Sequence, residues 1–292
     1  MKKRIFLLFC TFVFLFGCSQ KESQKEQDIY IQQEGTVADE KMPMQDCQAK
    51  VTFFDVGKGD AILIETSGHQ VMIDAGYDDT ADAILGYLKE QSIDKLDYLV
   101  ITHFDKDHVG GADRIIKEVE TENVLQPDYE SESGQYKEYV EAMIDEGIEP
   151  DVVTQTMKLS LDGVEFLIYP PQKKDYKEED NDFSLVISMT CGDKLHGGKR
   201  VLFAGDCEKE RLKELLIQKE FELSHDVLKV PHHGRKGKNS KEFLMAVSPK
   251  VAVITSSDEK PADDEICMIL KKLGTDVYFT NEGTVTLVIR DF

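Results

Sequence analysis

His103, Asp105, Asp107 and His108 place two imidazoles and two carboxylates within six residues of one another. Nitrogen and oxygen donors of these kinds are what zinc and manganese take from proteins. The alternation His103-Phe104-Asp105-Lys106-Asp107 throws three of the four side chains to one side of an extended backbone. The tight turn into Gly110-Gly111 then lets His108 fold back toward them. A polar helix start accounts for one aspartate, but not for a quartet with two histidines. Further along, Asp206 ends the apolar run Val201-Leu202-Phe203-Ala204-Gly205, and Pro231-His232-His233-Gly234 follows Leu228-Lys229-Val230. Vicinal histidines on extended backbone point opposite ways. One of His232 and His233 is therefore expected at the metals and the other on a second partner, with the choice between them open.

The elements that must carry these groups are readable from periodicity. Asp97-Tyr98-Leu99-Val100-Ile101 is a buried strand by its β-branched and aromatic content, and Ala112 to Glu120 has helical spacing with Ile115, Ile116 and Val119 on one side. The quartet thus sits in a strand-to-helix loop. Val51 to Phe54, Ala61 to Glu65 and Val71 to Asp74 read as strands, and Asp79 to Gln91 as an amphipathic helix. The glycines of Asp55 to Asp60 punctuate a loop; they lack the Walker spacing of a phosphate loop. Leu185 to Met189, Val201 to Ala204 and Asp226 to Val230 are further strands, with a helix over Glu208 to Glu220. A βαβ-like unit closes the chain: Val251 to Thr255, Ala262 to Leu273, Val277 to Thr280 and Thr284 to Ile289. Pro170 to Asp182 is a long charged loop, either a lid or a solvated connector. His69 and His196 fall at hairpin turns and are expected at the surface.

The quartet resembles the His-x-His-x-Asp-His signature of the metallo-β-lactamase fold, with Asp105 in place of the second histidine. That variant is similar to the C-terminal hydrolase domain of ComEC-type competence proteins. Asp55-Val56-Gly57-Lys58-Gly59-Asp60, Val201 to Asp206 and Leu228 to Gly234 extend the likeness over most of the chain from Val51. The resemblance implies an α/β fold, the four-layer αββα sandwich, in one domain over 48–292. It implies two divalent ions, Zn or Mn, held by His103, Asp105, Asp107, His108, Asp206, His232 and His233, with Asp206 as the bridging carboxylate. Asp107, His233 and Lys260 are the expected catalytic groups. Two departures stand out: Asp182 replaces an asparagine, and Lys260 stands where the likeness leads one to expect a histidine. Asn181 is expected to offer a polar contact to metal or substrate.

The N-terminus reads as a targeting segment. Met1-Lys2-Lys3-Arg4 precedes a twelve-residue apolar run, Ile5 to Phe16, short of the ~20 residues a membrane span needs. Leu15-Phe16-Gly17-Cys18 resembles a bacterial lipobox. Residues 1–17 are expected to be a signal peptide and Cys18 the lipidation site. Residues 18–47 read as a solvated tether rich in Gln, Glu and Lys. The expected location is the outer face of the cell membrane. Of the six cysteines, none has CxxC spacing, so the sequence does not support a zinc-finger or redox motif.

Charge argues in two directions. A net charge of −21 repels nucleic acid at long range, so no stable nucleic-acid complex is expected. Yet between Asp226 and Glu242 five basic residues, Lys229, Arg235, Lys236, Lys238 and Lys241, occur without an acid. Such a local reversal beside a metal site points to an anionic substrate, a phosphodiester of nucleic acid or of a phosphate-bearing wall polymer. A lactonase or amide hydrolase would use the same metals without needing the basic strip, and a binding lipoprotein would need no turnover.

Overall fold

The computed structural model describes residues 29–33, 48–177, 180–192 and 198–290. Residues 1–17, Cys18, Cys47 and His196 lie outside the described residues. The first half of the chain runs β1 (Ile29–Gln33), β2 (Gln48–Phe53), β3 (Ala61–Glu65), β4 (Gln70–Ala75), α1 (Ala81–Glu90), β5 (Lys95–Val100), α2 (Ala112–Glu118), β6 (Glu120–Gln126), α3 (Gly134–Glu146) and β7 (Asp151–Val152). The second half runs β8 (Met157–Leu161), β9 (Val164–Tyr169), β10 (Val186–Cys191), β11 (Lys199–Phe203), α4 (Lys209–Ile217), β12 (Val227–Lys229), α5 (Ser240–Val247), β13 (Val251–Ile254), α6 (Asp264–Leu273), β14 (Asp276–Phe279) and β15 (Val285–Arg290).

These strands form two sheets, ordered β1-β15-β2-β3-β4-β5-β6-β7 and β14-β13-β12-β11-β10-β9-β8. Side chains alternate across each strand, so one set of residues from each sheet meets in the middle. Val51, Phe53, Ile62, Ile64 and Ile73 face Phe166, Ile187, Met189, Phe203 and Val253 there, all buried. The opposite set, including Leu63, Met72 and Leu99, is covered by Ile84 of α1, Ile115 of α2 and Tyr139 of α3. Leu202, Leu228 and Ala252 of the second sheet are covered by Leu212 of α4, Phe243 of α5 and Leu270 of α6. The layers are helix, sheet, sheet, helix, the expected αββα sandwich. Strands buried on both faces carry unbroken apolar runs such as Ala61 to Ile64.

Three local expectations are corrected. Ile29–Gln33, inside the stretch read as a tether, pairs antiparallel with β15, and its alternating Ile29 and Ile31 pack against the inter-sheet core. The helix after the quartet ends at Glu118, and Glu120–Gln126 continues as a strand parallel to β5. Its polar residues disguised it; the Asn123 amide donates to the Asp97 carbonyl at 2.9 Å. The charged loop after β9 is pinned rather than free. Tyr176 is buried there and its hydroxyl donates to Glu214 of α4 at 2.8 Å, so that part of the loop is held as a strap.

What the architecture provides is one shared edge. The C-terminal ends of β2, β4, β5, β11, β12 and β13 carry Asp60, Asp74, the 103–108 quartet, Asp206, His233 and Thr255 respectively, either on the strand or in the loop that follows it.

Candidate metal centre

The loop after β5 holds its shape because neighbouring backbones press against it. A Cβ on Gly110 would collide with the Lys106 carbonyl, and one on Gly59 would lie 2.7 Å from the Asp107 carbonyl oxygen. Glycine at these two positions is what lets the Asp55–Asp60 loop and the quartet loop touch. Asp60 N–H donates to the Asp107 carbonyl at 3.0 Å, which fixes the contact.

Four buried groups converge at this edge. Donor atoms of Asp107, His108, Asp206 and His233 all lie within 4.8 Å of one another. His233 Nε2 is 2.9 Å from Asp206 Oδ2, 3.5 Å from Asp107 Oδ2 and 3.4 Å from His108 Nε2. His108 Nε2 lies 3.3 Å from Asp206 Oδ1. His103 stacks close by, its ring centre 4.0 Å from that of His108.

Each imidazole is held by its other nitrogen. His108 Nδ1 donates to Asp74 Oδ2 at 2.8 Å, and His233 Nδ1 donates to the Thr255 carbonyl at 2.9 Å. The Thr102 hydroxyl donates to Asp74 Oδ2 at 2.6 Å, so it accepts from His103 Nδ1 at 3.0 Å. This hydrogen bonding assigns the tautomers and aims three Nε2 atoms at one region, the arrangement by which histidine ligands are oriented. His103 Nε2 is buried and has no hydrogen-bond partner. A buried polar atom left so is costly, and a cation beside it removes the cost. The donor set therefore fits a divalent ion.

The charges point the same way. Burial pushes the His103 pKa well below the ordinary imidazole value, with neighbouring His108 adding to the effect, so its ring is neutral. Burial also opposes charge on His108, but the carboxylates of Asp206, Asp74 and Asp60 outweigh it and raise its pKa well above the usual value. Asp107 and Asp206 are held low against their burial by His233 and His108. Asp105 is pushed up to about 6, chiefly by burial and by Asp180. This edge of the sandwich gathers more negative charge than the histidines neutralise.

One cation is built in. Lys229 is fully buried, pairs with Asp60, lies 3.4 Å from Asp206 Oδ1 and donates to the Gly205 carbonyl at 3.1 Å. The basic strip thus divides: Lys229 is part of the centre, while Arg235 and Lys236 line a cavity beside it and Lys241 lies over a separate groove between α5 and α6. The strand pattern carried a signal for this. Val227 faces the inter-sheet core, and residues two apart on a strand share a face, so Lys229 points inward.

The remaining expected site residues fall in three places. Asp105 is half-exposed at the rim, its Oδ2 3.9 Å from His103 Nε2. His232 does not join the cluster. His232 and His233 lie in a turn with φ of 48° and 52°, not on extended backbone, and the turn aims His232 at Glu208 Oε1, 2.9 Å away. Lys260 is exposed, forms no ion pair among the described residues, and lines the adjoining cavity, away from the ligand carboxylates. Asn181 donates to Glu208 Oε1 at 3.0 Å. Asp182 has a structural role: its carboxylate accepts from the N–H groups of Glu208, Glu210 and Arg211 and caps α4. Cys207 is buried, its thiol pushed up to about 12 by desolvation, and is not a ligand. His69 is a surface group paired with Asp162 at 3.0 Å.

Sequence reasoning missed Lys58, Asp60 and the part played by Asp74. Lys58 Nζ reaches Asp107 Oδ2 at 2.6 Å. Its signal was a lysine between two glycines in an acidic loop facing the quartet.

Comparison with known proteins agrees with this geometry. The family model described as the metallo-beta-lactamase superfamily matches residues 54–256. The chain is 27% identical over 233 residues to ComE operon protein 3 of Bacillus subtilis (strain 168), covering 73% of this chain and 29% of that protein. It is 29% identical over 211 residues to competence protein ComA of Neisseria gonorrhoeae, covering 72% of this chain and 27% of that protein. The match spans under a third of the length of these relatives. Among solved structures, the metallo-beta-lactamase fold protein YhfI from Bacillus subtilis superposes with a TM-score of 0.54 at 10% identity, covering 81% of this chain and 98% of that one. CmlA, a diiron beta-hydroxylase from Streptomyces venezuelae, superposes with a TM-score of 0.56 at 14% identity, covering 86% and 55%. With the cluster of candidate ligands lying wholly inside the matched span, the chain belongs to the metallo-β-lactamase superfamily.

Proposed function

We propose that this chain hydrolyses phosphodiester bonds of an anionic polymer at two divalent ions, on the outer face of the membrane to which Cys18 anchors it. The observation that carries the reading is the convergence of three Nε2 atoms and two carboxylates beside a cavity lined by lysine and arginine. His108, His233, Asp107 and Asp206 would hold one ion; His103, Asp105 and a shared Asp206 would hold the other. With imidazole and carboxylate donors and no thiolate, both Zn and Mn suit the set. Such ions supply Lewis acidity, making water acidic near neutral pH and neutralising charge on a phosphoryl oxygen.

The chain's own residues account for the rest. Asp74 and Thr255 hold the rings of His108 and His233, so the donors are in place before substrate arrives. Lys229 keeps Asp60 and Asp206 in position by pairing with both. Lys58, at the mouth and bonded to Asp107, offers an ammonium to a substrate oxygen. A lactonase reading leaves the cation-lined cavity without a role. The likeness to competence protein ComA supports a cell-envelope setting. The lipobox-like Leu15-Phe16-Gly17-Cys18 supports the anchor.

The test is metal analysis of the purified full chain followed by turnover of bis(p-nitrophenyl) phosphate with Zn or Mn supplied. At least one ion per chain and activity lost in Asp206→Asn are expected. A chain that takes up neither metal, or turns over no diester when loaded, overturns the reading.

A further inference from the structure

Beside the ligand cluster lies a cavity of about 480 Å³ whose walls include Lys58, His232, Arg235, Lys236, Lys260 and Glu208. Four side chains there carry fixed positive charge. In a chain with 56 acidic against 35 basic residues, that is a local inversion. The acids present are already engaged. Glu208 accepts from Asn181 and faces His232 at 2.9 Å, and Asp263 accepts from the Lys236 backbone N–H at 2.7 Å. Among the described residues, Lys236 pairs with exposed Glu265, a contact that water screens. Arg235 and Lys260 form no side-chain ion pair among the described residues.

The cavity adjoins the cluster of candidate ligands through two elements. Lys58 lines it and also touches Asp107 at 2.6 Å. The turn at residues 232–233 sends His233 into the ligand cluster and His232 to the cavity wall. A group bound in the cavity is thus a short distance along the substrate from the bond being cut. Arginine and lysine without carboxylate partners are the chemistry that receives phosphate, the arginine through paired N–H donors.

We propose that this cavity is a subsite for a second phosphate, the one flanking the scissile phosphodiester, held by Arg235 and Lys260. The inference rests on the phosphodiesterase reading above and deepens it: the substrate is a backbone with repeated phosphates, and an isolated diester is a poor substrate. His232 and Glu208 form the polar wall opposite, which leaves Lys260 a binding role in place of the catalytic one expected from sequence.

The thymidine oligomers TpT and TpTpT differ in having one and two phosphates, and both are cleavable diesters. With the full chain loaded with Mn, kcat/KM is expected to be at least about tenfold higher for TpTpT. The double variant Arg235→Ala/Lys260→Ala is expected to erase most of that preference. A second readout needs no turnover: TpTpT carrying a dye should bind the metal-free wild type more tightly than the double variant, by about tenfold, with a steeper salt dependence. Equal kcat/KM for the two oligomers in the wild type, or a preference untouched by the double variant, overturns the proposal. Equal binding of TpTpT by wild type and variant does the same. If neither oligomer nor bis(p-nitrophenyl) phosphate is cleaved, it is the phosphodiesterase reading that fails, and the binding comparison still decides whether the cavity holds phosphate.

Discussion

Lys229→Met is the perturbation that most directly tests how the metal centre is held together. The ammonium is fully buried between Asp60 and Asp206, each about 1% exposed. Methionine fills similar volume but leaves two carboxylates facing each other without the cation. Removing one partner of a buried ion pair costs about 3–5 kcal/mol, because the remaining charge is stranded in low dielectric. For a domain of this size each kcal/mol moves the melting temperature by about 2–4 °C, so the metal-free variant should melt roughly 6–20 °C lower. The assay is thermal unfolding by circular dichroism in EDTA, repeated with Mn or Zn. Added metal should stabilise the variant more than the wild type, since a divalent ion at Asp206 supplies the missing charge. Adding Asp60→Asn should recover part of the loss by removing one stranded carboxylate. A metal-free loss below about 1 kcal/mol, or no recovery in the double variant, would refute the claim that Lys229 neutralises these carboxylates.

Asp74→Asn leaves its shape intact but weakens the acceptor that fixes the His108 tautomer; metal affinity measured by calorimetry should fall about 10–100-fold. His233→Ala should empty the four-ligand site by elemental analysis while His232→Ala retains the metal, because only His233 is turned into the cluster. His225 is buried against Arg200, and its pKa is lowered to about 4, mainly by desolvation. Its ordinary value is about 6.5, so the unfolded chain takes up the proton first and stability falls as pH drops from about 6.5 toward 4, by up to about 3 kcal/mol. Urea melts at pH 7 and pH 5 should show about 2 kcal/mol of that loss in the wild type and less in His225→Gln. Cys18→Ser should abolish lipid labelling and release the chain from the membrane fraction; labelling that persists would remove the anchor from the proposal.

Much of this protein was legible in one dimension because two kinds of pattern are local. Apolar runs such as Ala61 to Ile64 and Val251 to Ile254 mark strands buried on both faces, and their alternation with helical stretches implies covered sheets. A quartet of candidate metal ligands packed into six residues announces itself for the same reason: all four share one loop, although only Asp107 and His108 join the four-residue donor cluster. Sequence alone also located Asp206 at a strand end and confined the remaining imidazole to His232 or His233. Deciding between those two needed tertiary structure, because the left-handed turn that aims them is stabilised by contacts from elsewhere, among them the Thr255 carbonyl on β13's far end. Lys229, Lys58 and Asp60 were hidden likewise. Taken singly, a lysine or aspartate reads as a solvated charge, and only folding shows that the three lie around Asp107 and Asp206, contributed by loops and strands far apart in sequence. Short-range pattern determined which residues could bind metal; long-range packing decided which of them share a centre, since burial and charge pairing are properties of the assembled edge.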